Sequence, residues 1–156
     1  MSGAHSQHSQ ERAKKARRVL MADDDPEDVL LFRDAFKRSG IREELQSVSD
    51  GQELVDFLHA AHSADKPLPD LILLDLNMPR KDGREALAEI KGDPLLRSIP
   101  TIVLTTSSRE EDVQRCYELG ANSYVRKPST FDSMVDFARI LKKYWLEVVE
   151  LPPEIA

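Results

Sequence analysis

The feature that most constrains the fold is a fivefold alternation of short apolar segments with segments of helical periodicity. The apolar segments are Arg18–Ala22, Leu45–Val48, Asp70–Asp75, Thr101–Leu104 and Ser123–Val125. After each one, apolar residues recur at spacings of three and four, as they do along one face of a helix. The third segment contains no polar alternation, which is typical of a strand covered on both faces. The pattern predicts an α/β fold with a five-stranded parallel sheet.

Several residues mark the ends of the predicted helices. In the first helix, Asp25 is the expected N-cap, Pro26 takes the first position and Asp28 the capping-box position. The range Ser108–Glu111 has the capping-box spacing for a fourth helix, which Gly120 should end. The residues of that helix expected to face inward are Val113, Cys116 and Tyr117. The last helix has a stripe made of Met134, Ala138, Leu141 and Trp145.

Composition limits the class of protein. The chain has 156 residues, of which 40% are hydrophobic and 32% charged, with a net charge of −6. These values are typical of one soluble globular domain. The single cysteine, Cys116, excludes an internal disulfide and a cysteine-based zinc cluster. We find neither an apolar run of the ~20 residues that a membrane helix needs nor a secretion signal. A cytoplasmic protein with no membrane partner is therefore expected.

The basic residues at the N-terminus are treated as a tail. Five of them lie between Arg12 and Arg18, and such an arm is more often a solvated terminus than a binding element. The acidic balance of the remaining chain does not favour a nucleic-acid partner. The predicted organisation is a flexible basic tail (1–16), a domain (17–145) and a C-terminal extension (146–156).

Polar residues follow four of the five predicted strands. Asp23 and Asp24 follow the first strand, Asp75 ends the third, Thr105 the fourth, and Lys127 comes after the fifth. In open parallel sheets, ligands bind beside the carboxyl ends of the strands. Three carboxylates can be close together if a cation neutralises them, and a few hard oxygen ligands with room for water suit Mg²⁺. A carboxylate can also accept a phosphoryl group as a nucleophile, so these residues predict a Mg²⁺-dependent phosphoryl-acceptor site.

Between residues 17 and 145 the chain resembles a response-regulator receiver domain of the chemotaxis type. The motifs that carry the resemblance are Asp23-Asp24, Leu-Leu-Asp-Leu-Asn-Met-Pro around Asp75, Lys81-Asp82-Gly83, Thr105 and Lys127-Pro128. The resemblance implies a flavodoxin-like sheet with strand order 2-1-3-4-5. It also implies a histidine kinase as the partner, with Asp75 as the phosphoacceptor.

The resemblance also assigns roles to other residues. It implies that Mg²⁺ is bound by Asp24, Asp75 and the backbone carbonyl of Asn77, with Asp23 holding the metal through water. Lys127 should pair with a phosphoryl oxygen, and the bond between Lys127 and Pro128 should be cis.

The same resemblance implies a switch. Thr105 should reach the phosphoryl group once it arrives, and the ring of Tyr124 should then turn inward. Asn77 and Ser107 occupy the positions that tune self-dephosphorylation in the family.

Three short segments narrow the resemblance. Residues 104–107, 127–129 and 144–152 are similar to single-domain regulators that are paired with phytochromes. The implied kinase is then a bacteriophytochrome. In those relatives the C-terminal extension contributes to dimerisation, so a homodimer is expected here. Its candidate contacts are Trp145, Val148 and Leu151.

Three other functions share parts of this pattern. An aspartate-nucleophile phosphatase of the haloacid-dehalogenase type needs a second aspartate where Asn77 stands, and a cap domain. An FMN carrier would need a phosphate-binding loop where Asp23 and Asp24 follow the first strand. An interaction module that works without phosphorylation would lack one of the five key residues, and all five are present. A phosphoacceptor signalling domain, rather than an enzyme, remains the main expectation.

Overall fold

The computed structural model describes residues 17–153. They form a central sheet of five parallel strands with helices on both faces. The strands are β1 (Arg18–Ala22), β2 (Glu44–Val48), β3 (Leu71–Leu74), β4 (Thr101–Thr105) and β5 (Ser123–Arg126). Their order in the sheet is β2-β1-β3-β4-β5, so the predicted fold class and strand order are confirmed. The predicted basic tail, residues 1–16, lies outside the described residues, as do the last three residues of the predicted extension.

Helices cover both faces of this sheet. They are α1 (Pro26–Arg38), α2 (Gly51–Ser63), α3 (Gly83–Gly92), α4 (Glu110–Leu119) and α5 (Phe131–Leu141), and α5 continues as a π-helix (Lys142–Val148). The apolar stripes of α1 and α5 pack on one face, while those of α2, α3 and α4 pack on the other. All four residues of β3 are fully buried between the two layers, as its uninterrupted apolar sequence predicted. Within residues 17–153, every helix is too short or too polar to cross a lipid bilayer.

Helix α1 begins as predicted, but one of its acidic residues has another role. Asp25 is the N-cap, with its side chain accepting the Glu27 amide, and Pro26 is in the first turn. The carboxylate of Asp28 instead accepts a hydrogen bond from Lys127 at 2.8 Å. The predicted capping-box role of Asp28 was therefore wrong, because its carboxylate contacts Lys127, which is distant in sequence, instead of the start of the helix.

The predicted start of α4 was also wrong. Its N-cap is Arg109, without a side-chain cap, so Ser108 does not form the expected capping box. Cys116 is buried as predicted, but Tyr117 is half exposed. Asp112 faces inward because its carboxylate pairs with Arg84 on α3, and this pair fixes which face of α4 is covered.

Candidate functional site

The register of the sheet brings two acidic strand ends to the same level. Ala22 of β1 is paired with Leu74 of β3, and the amide of Asp75 donates to the carbonyl of Ala22 at 3.0 Å. Asp23 and Asp75 therefore leave neighbouring strands side by side. Together with Asp24 they place one carboxylate oxygen each within 4.8 Å of the others. The predicted convergence of these three residues is present in the structure.

A tight loop holds the backbone of Asp75 in place. The amide of Gly83 donates to the carbonyl of Leu76 at 2.8 Å. A Cβ atom at Gly83 would lie only 2.1 Å from the carbonyl oxygen of Asp75, so only glycine fits this close approach. Asp82, the residue before Gly83, is the N-cap of α3 and forms a capping box with Glu85. The loop after β3 is thus folded back against the strand end that carries Asp75.

The ammonium of Lys127 lies among three carboxylates. The amide of Lys127 donates to the carbonyl of Thr105 at 2.8 Å, which fixes the end of β5 beside β4. Its Nζ lies 2.7 Å from Asp23 Oδ2, 2.8 Å from Asp28 Oδ2 and 3.1 Å from Asp75 Oδ2. We refer to Asp23, Asp24, Asp28, Asp75 and Lys127 as the acidic cluster. Asp28 was missed as a site residue, because its place in the first turn of α1 already had an explanation.

Burial and charge act against each other in the acidic cluster. Burial raises the pKa of Asp23, although its contacts with Lys127 and the Asp25 amide act in the opposite direction. Burial alone would lower the pKa of Lys127, but its hydrogen bonds to Asp23 and Asp28 outweigh this and leave that pKa raised. One ammonium is thus surrounded by more carboxylates than it can neutralise.

The donor set of the acidic cluster fits a small divalent cation. Asp23 Oδ2 is fully buried, and the ammonium of Lys127, 2.7 Å away, also contacts Asp28 and Asp75. Asp24 is exposed to solvent. Hard carboxylate oxygens with access to water are the ligands that Mg²⁺ and similar ions prefer. A cation would also reduce the repulsion between these carboxylates.

Thr105 adds a buried hydroxyl to the same edge. It is fully buried, and its Oγ1 has no hydrogen-bond partner among residues 17–153. A buried polar group without a partner costs free energy of about 1–3 kcal/mol. An acceptor placed beside the acidic cluster would satisfy this hydroxyl.

Asn77 and Pro128 complete the predicted residues at this edge. Asn77 is exposed, and its amide N–H makes a long contact of 3.4 Å to Asp75 Oδ1. The bond between Lys127 and Pro128 is trans, so the predicted cis bond was wrong. The trans form before proline is favoured by about 0.5–1 kcal/mol. From a trans peptide, Lys127 already reaches three carboxylates.

A second group of polar side chains links α3, α4, β5 and the loop after β4. The guanidinium of Arg84 donates to Asp112 Oδ1 at 2.8 Å, and the hydroxyl of Ser107 donates to Asp112 Oδ2 at 2.6 Å. The hydroxyl of Tyr124 donates to the carbonyl of Ser107 at 2.9 Å. These contacts with Arg84 and Ser107 lower the pKa of Asp112 to about 2, and burial raises that of Tyr124. We call these four residues the Asp112 cluster. The sequence had pointed to Ser107 and Tyr124 for other roles, but not to their grouping with Arg84 and Asp112.

The C-terminal candidates occupy different environments. Trp145 is half-buried and packs against the layer formed by α1 and α5. Val148 is 61% exposed, and Leu151 is half-buried. The π-helix runs through the predicted boundary at residue 145. An apolar groove of about 280 Å³ lies between β5, α5 and this helix.

Comparisons with known proteins identify the class. The sequence profile of the response regulator receiver domain matches residues 19–139. The chain therefore belongs to the response regulator receiver domain family, as its motifs predicted. Response regulator Rcp1 of Synechocystis sp. is 42% identical over 135 residues, which are 86% of this chain and 92% of Rcp1.

Two solved structures of response regulators are similar to this chain in fold and in sequence. The phosphorylated cyanobacterial phytochrome response regulator RcpA matches with a TM-score of 0.82 at 37% identity, covering 89% of this chain and all of that one. The Mn²⁺-bound form of Rcp1 matches with a TM-score of 0.79 at 41% identity, covering 88% of this chain and 99% of that one. The similar proteins thus include phytochrome response regulators.

Proposed function

We propose that this chain is a single-domain response regulator whose Asp75 accepts a phosphoryl group from a histidine kinase in the presence of Mg²⁺. The observation that carries the proposal is the convergence of Asp23, Asp24 and Asp75 within 4.8 Å, with Lys127 Nζ 3.1 Å from Asp75. The phosphorylated RcpA and the Mn²⁺-bound Rcp1 support it. The chain acts in this account as a phosphoacceptor in the cytoplasm, not as an enzyme with its own substrate.

Asp24, Asp75 and the carbonyl of Asn77 would hold Mg²⁺, with Asp23 holding it through water. When bound, Mg²⁺ would neutralise charge on the phosphoryl oxygens, which is the main need of phosphoryl transfer.

The transfer itself uses the carboxylate of Asp75 as the nucleophile. An oxygen of Asp75 forms a bond to phosphorus while the bond between phosphorus and the kinase histidine nitrogen breaks. The electron pair of that bond stays on the imidazole, which takes up a proton. Lys127 has only to shift from Asp75 Oδ2 onto a phosphoryl oxygen, because its ammonium already lies at hydrogen-bonding distance from the acceptor.

The response to phosphorylation would start at Thr105. Its unpartnered Oγ1 donates to the phosphoryl group, which draws the end of β4 toward the acidic cluster. The space vacated beside the sheet is filled by the ring of Tyr124, which already packs against the neighbouring core and donates to the carbonyl of Ser107. Such a local charge event biases a two-state element, here the surface built from α4, β5 and α5. Asn77 and Ser107 would set the rate of self-dephosphorylation.

Intact mass after incubation with acetyl phosphate tests this function. We expect one added phosphoryl group that requires Mg²⁺ and is absent in Asp75→Asn. Asp34→Asn, which removes an exposed carboxylate from α1, should behave like the unaltered protein. If the wild-type mass does not change, the chain is an interaction module that has kept these residues without their chemistry.

The proposed kinase partner is a bacteriophytochrome, because the similar proteins include phytochrome response regulators. Transfer from a purified phytochrome-type kinase should label Asp75 faster than transfer from an unrelated histidine kinase. Equal rates for both donors would contradict this pairing.

We also propose a homodimer that uses Trp145, Val148 and Leu151. Support comes from exposed apolar residues along α5 and the π-helix, namely Ile140, Tyr144 and Val148. Val148→Asp should shift the sedimentation coefficient to that of a monomer. Leu30→Asp, which charges an equally exposed site on α1, should not. A monomeric wild-type protein would rule out the dimer.

A further inference from the structure

Lys127 distributes its contacts over two kinds of carboxylate. Asp23 and Asp75 contact Lys127 and also belong to the group of oxygens that can hold a cation. Asp28 contacts the same ammonium at 2.8 Å but lies outside that group. The side chains also differ in exposure, since that of Asp28 is 25% exposed and that of Asp23 is fully buried. Asp28 can therefore keep its contact with Lys127 when a cation engages the other carboxylates.

A cation and an ammonium compete for the same oxygens. A divalent ion held among Asp23, Asp24 and Asp75 would offset their negative charge and repel Lys127, since like charges at close range are unfavourable. Lys127 needs a counter-charge at that stage, because its side chain is only 7% exposed. Asp28 provides one from the first turn of α1, a different element from the strand ends that carry the other carboxylates.

We propose that Asp28 is a positioning residue that keeps Lys127 beside the acceptor while the metal is held by Asp24 and Asp75, and by Asp23 through water. This inference rests on the proposed function and deepens it. Without Asp28, Lys127 rests only on Asp23 and Asp75 and competes more strongly with the metal. Once the metal is bound, the ammonium has no anchor and reaches the phosphoryl group less often.

The test compares Asp28→Asn with Asp25→Asn. Both variants remove one carboxylate from the same turn, and asparagine at position 25 still caps α1. The carboxylate of Asp25 accepts the Glu27 amide, so its removal leaves the contacts of Lys127 in place. Two quantities are measured for each variant: the dissociation constant for Mn²⁺, from the electron paramagnetic resonance signal of the free ion, and the phosphorylation rate with acetyl phosphate at saturating Mg²⁺. Urea unfolding confirms that both variants are folded.

For Asp28→Asn we expect Mn²⁺ binding weakened and phosphorylation slowed by about tenfold each, the usual effect of losing a residue that orients a metal site. Asp25→Asn should change either quantity by less than about twofold. A purely structural role would leave the Mn²⁺ dissociation constant unchanged. The proposal is overturned if either quantity is the same in the two variants, or if Asp28→Asn binds Mn²⁺ more tightly. Failure of the wild type to be phosphorylated would instead overturn the proposed function, so the two failures are distinguishable.

Discussion

The two polar clusters of this protein surround their carboxylates with different partners. In the Asp112 cluster, both oxygens of Asp112 accept a hydrogen bond, one from Arg84 and one from Ser107. In the acidic cluster, the single ammonium of Lys127 is shared by the carboxylates of Asp23, Asp28 and Asp75. The pKa of Asp112 is lowered to about 2, while burial raises that of Asp23.

The difference teaches how to separate a structural carboxylate from a functional one. A satisfied ion pair stabilises the ionised form and needs nothing more. A buried carboxylate with a raised pKa is destabilised in its charged form, which makes it a candidate for binding a further ligand. Because its pKa is higher in the folded state, Asp23 adds to the free energy of unfolding when the pH is below its unfolded-state pKa. This contribution is lost as the pH rises through its folded-state pKa. Asp112 contributes stability above about pH 4 and loses it as the pH falls toward 2.

The largest expected effect comes from removing the ammonium of the acidic cluster. Lys127→Met leaves buried carboxylates without a counter-charge, so the free energy of unfolding at pH 7 without Mg²⁺ should fall by about 3–5 kcal/mol. Urea titration measures it. The loss should shrink as the pH is lowered and Asp23, whose pKa is raised by burial, becomes protonated. Lys143→Met is the control, because it removes an ammonium that is 76% exposed. A decrease below about 1 kcal/mol for Lys127→Met would show that the carboxylates of the acidic cluster do not depend on this ammonium.

Removing the carboxylate of Asp112 from the Asp112 cluster should lower the free energy of unfolding by a smaller amount. Asp112→Asn breaks two hydrogen bonds to an ionised group, so we expect a loss of about 2 kcal/mol at pH 7. The unfolded chain binds this proton near pH 3.8 and the folded one near pH 2, so the difference from the wild type should disappear between about pH 4 and 2. The same urea series, repeated across this range, checks the pH dependence. A loss that stays constant down to pH 2 would contradict the lowered pKa.

The smallest effect is expected at the edge of the Asp112 cluster. Tyr124→Phe removes one hydrogen bond from a half-buried hydroxyl to the carbonyl of Ser107, which is worth about 1 kcal/mol or less. Hydrogen exchange should quicken at the amides of residues 106–109, since this contact helps to hold the loop. Unchanged exchange in Tyr124→Phe would mean that the loop is held by other contacts.

The sequence predicted the part of the site that depends on topology. Asp23, Asp24, Asp75, Thr105 and Lys127 each follow a strand, and in a parallel sheet the strand ends must meet at one edge. Their positions could therefore be inferred from local patterns of apolar residues.

Contacts between distant side chains were not predictable in this way. Asp28 and Lys127 are separated by 99 positions, and Arg84 and Asp112 by 28. Each pair depends on how two helices or a helix and a strand are packed, which periodicity does not encode.

The most direct test of the account is the effect of Mg²⁺ on stability. At about 100 times its dissociation constant, an ion that binds only the folded state raises the free energy of unfolding by about 2.7 kcal/mol. We predict this gain for the wild type and for Asp112→Asn, and a gain below about 1 kcal/mol for Asp75→Asn. Equal gains in all three proteins would contradict the account, because Mg²⁺ would then be binding somewhere other than the acidic cluster.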